Sequence, residues 1–335
     1  MKKTNKSITL LGSLLLVTCC YFIIPEANAQ EKTKAGKEKV EEPEDELQTI
    51  SVHSRKLQRT GNTFESTWII DNQTTLVPMK QTFQFDILHR FGTVNNGFDD
   101  LWGMYAPSNI RMGFSYTPIN KLMVGFGLTK DRMLWDFNAK YAFISEDSKT
   151  PAPVSVTYFG NVALDSRPEG GFVHKSDRYS FFHQLMVSKK VTRDFSIQGS
   201  VNFSHFNAVE AFLGQEEQKI AKMKNDHFSF SVLGRYKVSD AFAFIGNYDQ
   251  PITKHNLNNP NPNISLGVEL ATPLHAFQIF MGNYKWLVPQ YNNVFNRNDP
   301  FDGRFLIGFN ITRLMDLKYE NLGEMMFKRK NKEKE

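Results

Sequence analysis

Only two cysteines occur in the 335 residues, Cys19 and Cys20, and both lie in the apolar stretch near the N-terminus. Beyond them no thiol remains, which excludes disulfides, cysteine nucleophiles and cysteine-ligated metals from the rest of the chain. After Ile24 no apolar run is long enough to cross a bilayer as a helix. Charge of one sign is also scarce: the formal net charge is +5, too mild to suggest a nucleic-acid partner. What the chain has in abundance is aromatic residues, with 29 Phe and 11 Tyr. Its mean hydropathy is nevertheless negative. A membrane protein of this composition has to span as a closed barrel, because strands in lipid cannot leave an edge unpaired.

Lys2, Lys3 and Lys6 precede an apolar stretch from Ile8 to Ile24, and Ala27-Asn28-Ala29 stands before Gln30. This is the layout of a cleavable secretory signal, with cleavage expected after Ala29. A lipoprotein reading is the minor alternative, because Thr18 and Cys19 stand where a small residue belongs before a modified cysteine. Residues 30–46 are mostly charged and carry no apolar period, so a disordered linker is expected. Residues 47–79 are mixed, and 67–77 is compatible with a short strand, a periplasmic cap or a plug inside a lumen.

From Lys80 onward apolar and polar residues alternate, the mark of strands with one face in lipid and the other in a polar interior. The run 80–91 sets Phe83, Phe85, Ile87 and Phe91 against Gln84, Asp86 and Arg90. The run 109–117 sets Ile110, Met112, Phe114 and Tyr116 against Arg111, Gly113 and Ser115. Runs 121–129 and 133–143 repeat the pattern, followed by 154–164, 179–191, 195–206, 226–238, 241–248, 264–271, 276–285 and 304–313. About twelve strands of bilayer-crossing length result, all antiparallel, with the barrel over 80–316 and a charged periplasmic tail over 317–335.

Connections sort by parity. Those at 92–108, 165–178, 207–225, 249–263 and 286–303 are long, while 118–120, 192–194, 239–240 and 273–275 are tight turns. The connections at 128–132 and 145–152 depart from the rule. One loop-rich rim and one short-turn rim is the arrangement of outer-membrane barrels. Tyr and Trp fall toward strand ends, which predicts two interfacial girdles: Trp135, Tyr179, Tyr248 and Tyr284 at the long-loop rim, and Tyr116, Tyr141 and Tyr236 at the other.

The segments Leu88-His89-Arg90-Phe91-Gly92, Asn109-Ile110-Arg111-Met112-Gly113-Phe114 and Met123-Val124-Gly125-Phe126-Gly127 resemble a family of uncharacterised Bacteroidetes-type outer-membrane barrels of unknown function. The preceding stretch from Gln73 to Phe85 fits as well, and the resemblance runs from about Phe64 to Arg313. It implies an outer-membrane barrel and supplies neither a substrate nor catalytic residues. The chain departs from many barrels in continuing past its last aromatic strand end into a charged tail.

The inward face is expected to carry Asp86, Arg90, Arg111, Asp136, Lys140, Arg235, Lys237, Glu269 and Arg304. Two readings stand side by side: a water-filled passage whose cationic excess gives a modest anion preference, or an ion-paired network, such as Asp86 with Arg111, bracing a closed barrel. His227, Ser229 and Asn202 have the residue types of an outer-membrane lipase, but the period turns His227 and Ser229 inward, away from lipid, so no catalytic site is expected. His89, His183 and His205 fall on the apolar face, where an ionisable group is costly away from an interface, and His89 and His205, near the long-loop rim, suit an interfacial position. In the loop 207–225, Val209, Phe212, Leu213, Ile220 and Met223 have roughly helical spacing. Asn298 to Gly303 has acidic groups, but its Pro and Gly mark an ordinary turn. No cofactor or metal is expected.

The sequence favours a non-enzymatic channel for small polar solutes. The alternative is a structural or assembly component whose long loops or N-terminal segment bind a periplasmic or surface partner. Expected partners in either case are outer-membrane lipid and the assembly machinery. The topology is directly testable: epitopes inserted near Glu210 or Asn259 should be labelled on intact cells and a tag after Glu335 should not, and the opposite pattern would invert the orientation.

Overall fold

The computed structural model describes residues 63–145, 152–168, 171–213 and 220–317. The expected leader, the linker 30–46 and the tail from 318 lie outside the described residues. Two short strands, β1 (Trp68–Ile69) and β2 (Asn72–Gln73), pair as a hairpin of their own. The barrel then begins with β3 (Thr82–Thr93), β4 (Asn109–Ile119), β5 (Leu122–Thr129), β6 (Leu134–Ile144), β7 (Ser155–Asp165), β8 (Tyr179–Lys190) and β9 (Phe195–Phe206). A second small hairpin, β10 (Ala211–Leu213) and β11 (Ile220–Lys222), stands in the next connection. The barrel is completed by β12 (Asp226–Lys237), β13 (Phe242–Pro251), β14 (Asn263–Ala271), β15 (His275–Gly282) and β16 (Leu306–Asp316). Twelve antiparallel strands close on themselves, each bonded to its sequence neighbour and β16 to β3.

Burial follows the period of two. Along β3, Thr82, Gln84, Asp86, Leu88 and Arg90 are buried, and Phe83, Phe85, Ile87, His89 and Phe91 between them face outward. On the outer surface a continuous apolar coat includes Met112, Phe126, Phe137, Leu185, Val201, Phe230, Phe244, Leu266 and Ile279, all exposed. That coat is the lipid-facing band a spanning barrel needs. Gly127 illustrates how closely the inner face is packed, because a Cβ there would come within 2.2–2.5 Å of the Arg111 guanidinium. Glycine leaves room for that side chain to lie across β5.

Several expected boundaries shift. β15 stops at Gly282 instead of 285, and β16 starts at Leu306, so Arg304 lies exposed in the preceding loop. The helical spacing in 207–225 is overridden, and the loop forms the β10–β11 hairpin instead. Its two ends leave from adjacent bonded strands, β9 and β12, so the ladder simply continues: Phe206 N–H bonds the Asn225 carbonyl at 3.0 Å and Met223 N–H that of Glu210 at 3.0 Å. Residues 298–303 form the expected turn, with the Asp299 carboxylate accepting from Phe301 N–H at 2.8 Å.

The outer coat sets a measurable cost. Val201, mid-strand in β9 and 60% exposed, replaced by Arg should destabilise the barrel by about 2–4 kcal/mol in reversible urea unfolding from vesicles, as for cations at a bilayer midplane. Val201→Ile should be neutral. Equal stability of Val201→Arg and wild type would place β9 outside the membrane.

Candidate functional site

The barrel interior is filled from both ends. From the short-turn rim, residues 63–79 run up inside the wall and back, and nearly all of Thr63 to Val77 is buried. The turn between β1 and β2 is its apex. Ile70 there has φ of 60°, a costly conformation for a β-branched residue that persists only when its surroundings fix it. They do so on both sides: Ile70 N–H donates to Gln278 Oε1 at 3.0 Å, and its carbonyl accepts from Asn310 Nδ2 at 2.6 Å.

Around the circumference the wall grips this plug mainly through neutral polar groups. Gln278 also donates to the Trp68 carbonyl at 2.8 Å, Gln84 to Thr67 Oγ1 at 2.7 Å, and Gln184 to Asn72 Oδ1 at 2.9 Å. Gln198 makes a double contact, accepting from Thr75 N–H at 2.9 Å and donating to the Gln73 carbonyl at 2.8 Å. Thr157 donates to the Thr75 carbonyl at 3.0 Å, and the Thr75 and Ser188 hydroxyls meet at 2.5 Å. A side-chain amide offers a donor and an acceptor together, so it can replace a strand partner for the plug backbone. Small apolar clusters add to the hold: Phe64, Ile69 and Ile70 on Leu233, Ile245 and Phe280, and Trp68 on Leu88 and Leu287.

From the long-loop rim a second element enters. After Gly282 the chain turns inward to α1 (Pro289–Phe295), whose residues Pro289 to Val294 are buried. Trp286, Val288, Tyr291 and Val294 pack on Leu134, Ala163, Phe206 and Met223. Gln290 reaches Asn161 on the wall at 2.9 Å. The two inserted elements meet at Asp71, whose carboxylate accepts from Tyr284 Oη at 2.8 Å, Asn292 Nδ2 at 3.0 Å and Asn247 Nδ2 at 3.0 Å. Plug, loop and wall are thus joined at one buried group.

The expected inward charges divide into four groups. Arg111 is bidentate on Asp136, both contacts at 2.8 Å, and Arg235 pairs with Glu269 at 2.7 Å. Asp86 is not the partner of Arg111 in a direct hydrogen bond; it accepts instead from Gln84 and Thr312. Arg90 and Lys140 are fully buried and turn to plug carbonyls, Lys140 to those of Thr67 and Leu76 at 3.2 and 3.3 Å. Lys237 sits half-exposed at the short-turn rim against Asp240, and Arg304 is outside the barrel. Asp249 joins the set, buried and bonded to Asn72 at 2.8 Å. The cationic excess expected of the wall therefore vanishes, with Arg90, Arg111, Lys140 and Arg235 set against Asp86, Asp136, Asp165, Asp249 and Glu269.

Of the expected girdle, Trp135, Tyr141, Tyr179 and Tyr236 are exposed on the outer face, and Tyr116 and Tyr248 are partly so. Tyr284 is the exception, fully buried, because β15 has already ended and its hydroxyl finds Asp71 and Ser265. His227 contacts His255 at 3.0 Å, not Ser229, while Asn202 binds Ser229 and Ser231. Burial, with Arg297 and Lys224 nearby, lowers the pKa of His255. His183 and His205 find Tyr158 and Asp226 on the outside, and His89 stacks on Phe309.

Sequence reasoning missed Asp71, the amide ring and α1. Two signals were present: the repeated Gln and Asn on inward positions, and the apolar stretch Trp286 to Phe295 in what reads as a surface loop. Replacing Asp71 by Ala removes the acceptor of three buried donors, each worth about 1–3 kcal/mol when left unmet. In a Thr75→Cys background it should speed maleimide labelling at least tenfold, with the gel shift of the folded barrel retained. Unchanged labelling would show that Asp71 does not hold the plug.

The model of the membrane bound beta barrel domain family (DUF5777) matches residues 64–315. No curated protein matches the chain. Among solved structures it is similar to the NanC porin, at 9% identity and TM-score 0.44 over 70% of this chain and 99% of that one. It is similar to the KdgM porin at 10% identity and TM-score 0.39, over 69% and 98%. An outer membrane channel from Pseudomonas putida F1 matches at 9% identity and TM-score 0.42, over 72% and 97%. With its closed twelve-strand barrel and apolar outer coat, the chain is an outer-membrane β-barrel and belongs to the membrane bound beta barrel domain family.

Proposed function

We propose that the protein is a gated, non-enzymatic passage for small polar solutes, shut in the state described by residues 63–79 and α1. The observation that supports this best is the chemistry of the contact between plug and wall. It consists largely of hydrogen bonds from Gln, Asn, Thr, Ser and Lys. Water supplies the same donors and acceptors, so a wall freed of the plug is wetted at little cost. A barrel built only as a brace has no need of such a lining and is more simply filled with apolar side chains.

In this reading the short-turn rim faces the periplasm. Residues 30–46 are a spacer there and 47–79 lead into the plug, after removal of 1–29, with 317–335 as a tail on the same side. The barrel wall contacts outer-membrane lipid, and insertion uses the assembly machinery. The filled lumen also fits the other reading, a structural component that binds partners through its loops or N-terminal segment.

A reversible lock separates the two. The Thr75 and Ser188 hydroxyls are 2.5 Å apart, so Thr75→Cys/Ser188→Cys places two thiols within bonding reach in a chain with no other cysteine after Cys20. In planar bilayers the Asp71→Ala background should conduct, fall silent when that pair is oxidised, and recover on reduction. A well-folded Asp71→Ala barrel that stays silent even when reduced would sink the passage reading in favour of the partner-binding one.

A further inference from the structure

Above α1, at the long-loop mouth, lies a cavity of about 820 Å³. Lys130, Arg132, Arg167, Lys285 and Arg297 reach it from three separate connections, against Asp131 and Glu210. Asp165 engages Arg167 at 2.7 Å and Arg132 at 3.7 Å, and Glu210 engages Arg297 at 3.6 Å. Lys130 and Lys285 have no carboxylate within 4.0 Å among the described residues, and both are exposed. The positive excess missing from the wall is therefore concentrated here.

These cations are held in place before any ligand arrives. Lys285 Nζ lies 4.8 Å over the Trp286 ring, Arg132 lies 5.1 Å over the same ring and 5.5 Å over Tyr291, and Lys130 donates to the Ser108 carbonyl at 3.1 Å. Pre-ordered side chains lose less freedom on binding, and a concave mouth concentrates their field. The floor includes Arg90, fully buried, whose Nε has no hydrogen-bond partner among the described residues. Its Nη2 is 3.4 Å from the carbonyl of Ile70, the apex of the plug.

We infer that this mouth cavity is a binding site for small soluble anions bearing carboxylate or phosphate groups, received by Lys130 and Lys285 and directed toward Arg90. The inference rests on the gated-passage reading for its role, as the station from which a solute meets the plug. An anion that reaches Arg90 competes with the Ile70 carbonyl for the same guanidinium, which weakens one clasp on the apex. The ligand is soluble and not a lipid headgroup, because apart from Phe91 on the outward face of β3 the lining comes from loop and inward-facing residues.

The test is calorimetric titration of the folded full chain in detergent micelles with citrate, and separately with inorganic phosphate, at low ionic strength. Saturable binding that weakens as sodium chloride is raised is expected, with glycerol giving none. Lys130→Gln/Lys285→Gln should weaken citrate binding about tenfold, as the loss of two partly exposed charges allows. Lys189→Gln/Lys190→Gln, at the opposite rim, should leave it unchanged. Absence of saturable binding, or equal loss in both double variants, overturns the site. Binding without conductance in the reduced Asp71→Ala channel overturns the passage reading and leaves the site standing, whereas conductance without binding does the reverse.

Discussion

The hydrogen bond between β16 and β3 is the contact on which everything else depends. In hydrocarbon an unmet peptide group costs several kcal/mol, so a sheet in lipid has to end on itself. Pairing of Leu306 to Asp316 with Thr82 to Thr93 closes the ring. Closure fixes which side chains point inward, and period two then delivers Gln84, Asp86 and Arg90 from one strand and Asn310 and Thr312 from the other to the same interior. The outer coat and the inner polar lining are thus two outcomes of one pairing requirement.

A polar interior must in turn be satisfied, by water or by protein. Here protein does it, and in a way that distinguishes two kinds of polar contact. The ion pairs Arg111–Asp136 and Arg235–Glu269 link strands of the wall to one another. The amides of Gln184, Gln198, Gln278 and Asn310 reach the plug instead. Ion pairs brace the ring, and what fills it is held mainly by neutral groups, joined by Lys140 on the Thr67 and Leu76 carbonyls and by Asp249 on Asn72. Breaking a buried ion pair leaves a stranded charge, while an amide parted from its partner can be rehydrated at far lower cost.

Strand number, inward and outward faces, and the parity of the loops were legible because a barrel wall in lipid imposes a local repeat at every residue. The exposed Trp135 and Tyr141 and the buried Asp136 and Lys140 follow directly from it. Contents of the lumen obey no such repeat. Residues 63–79 show neither period, since their burial is decided by side chains more than a hundred positions away, such as Gln278 on Ile70 and Asn310 on the same residue. Tyr284 was misplaced for a related reason: a tyrosine at a strand end reads as interfacial, and only the inward turn after Gly282 shows that it belongs to Asp71. Charge balance was misread likewise, because Lys237 is the last residue of β12 and turns to Asp240 at the rim, Arg304 lies in the loop before β16, and Asp249 falls on an inward position of β13.

The plug also bears on how the ring comes together. It precedes the first barrel strand in the chain, while the last strand supplies the other side of the seam. Gln84 of β3 and Asn310 of β16, with Gln278 of β15, all hold residues 67–70. The seam between the two ends of the barrel is thus clasped from within by a segment made before either end exists. Residues 67–70 tie the first and last barrel strands to one another from inside, in addition to the ladder that joins them along their edges.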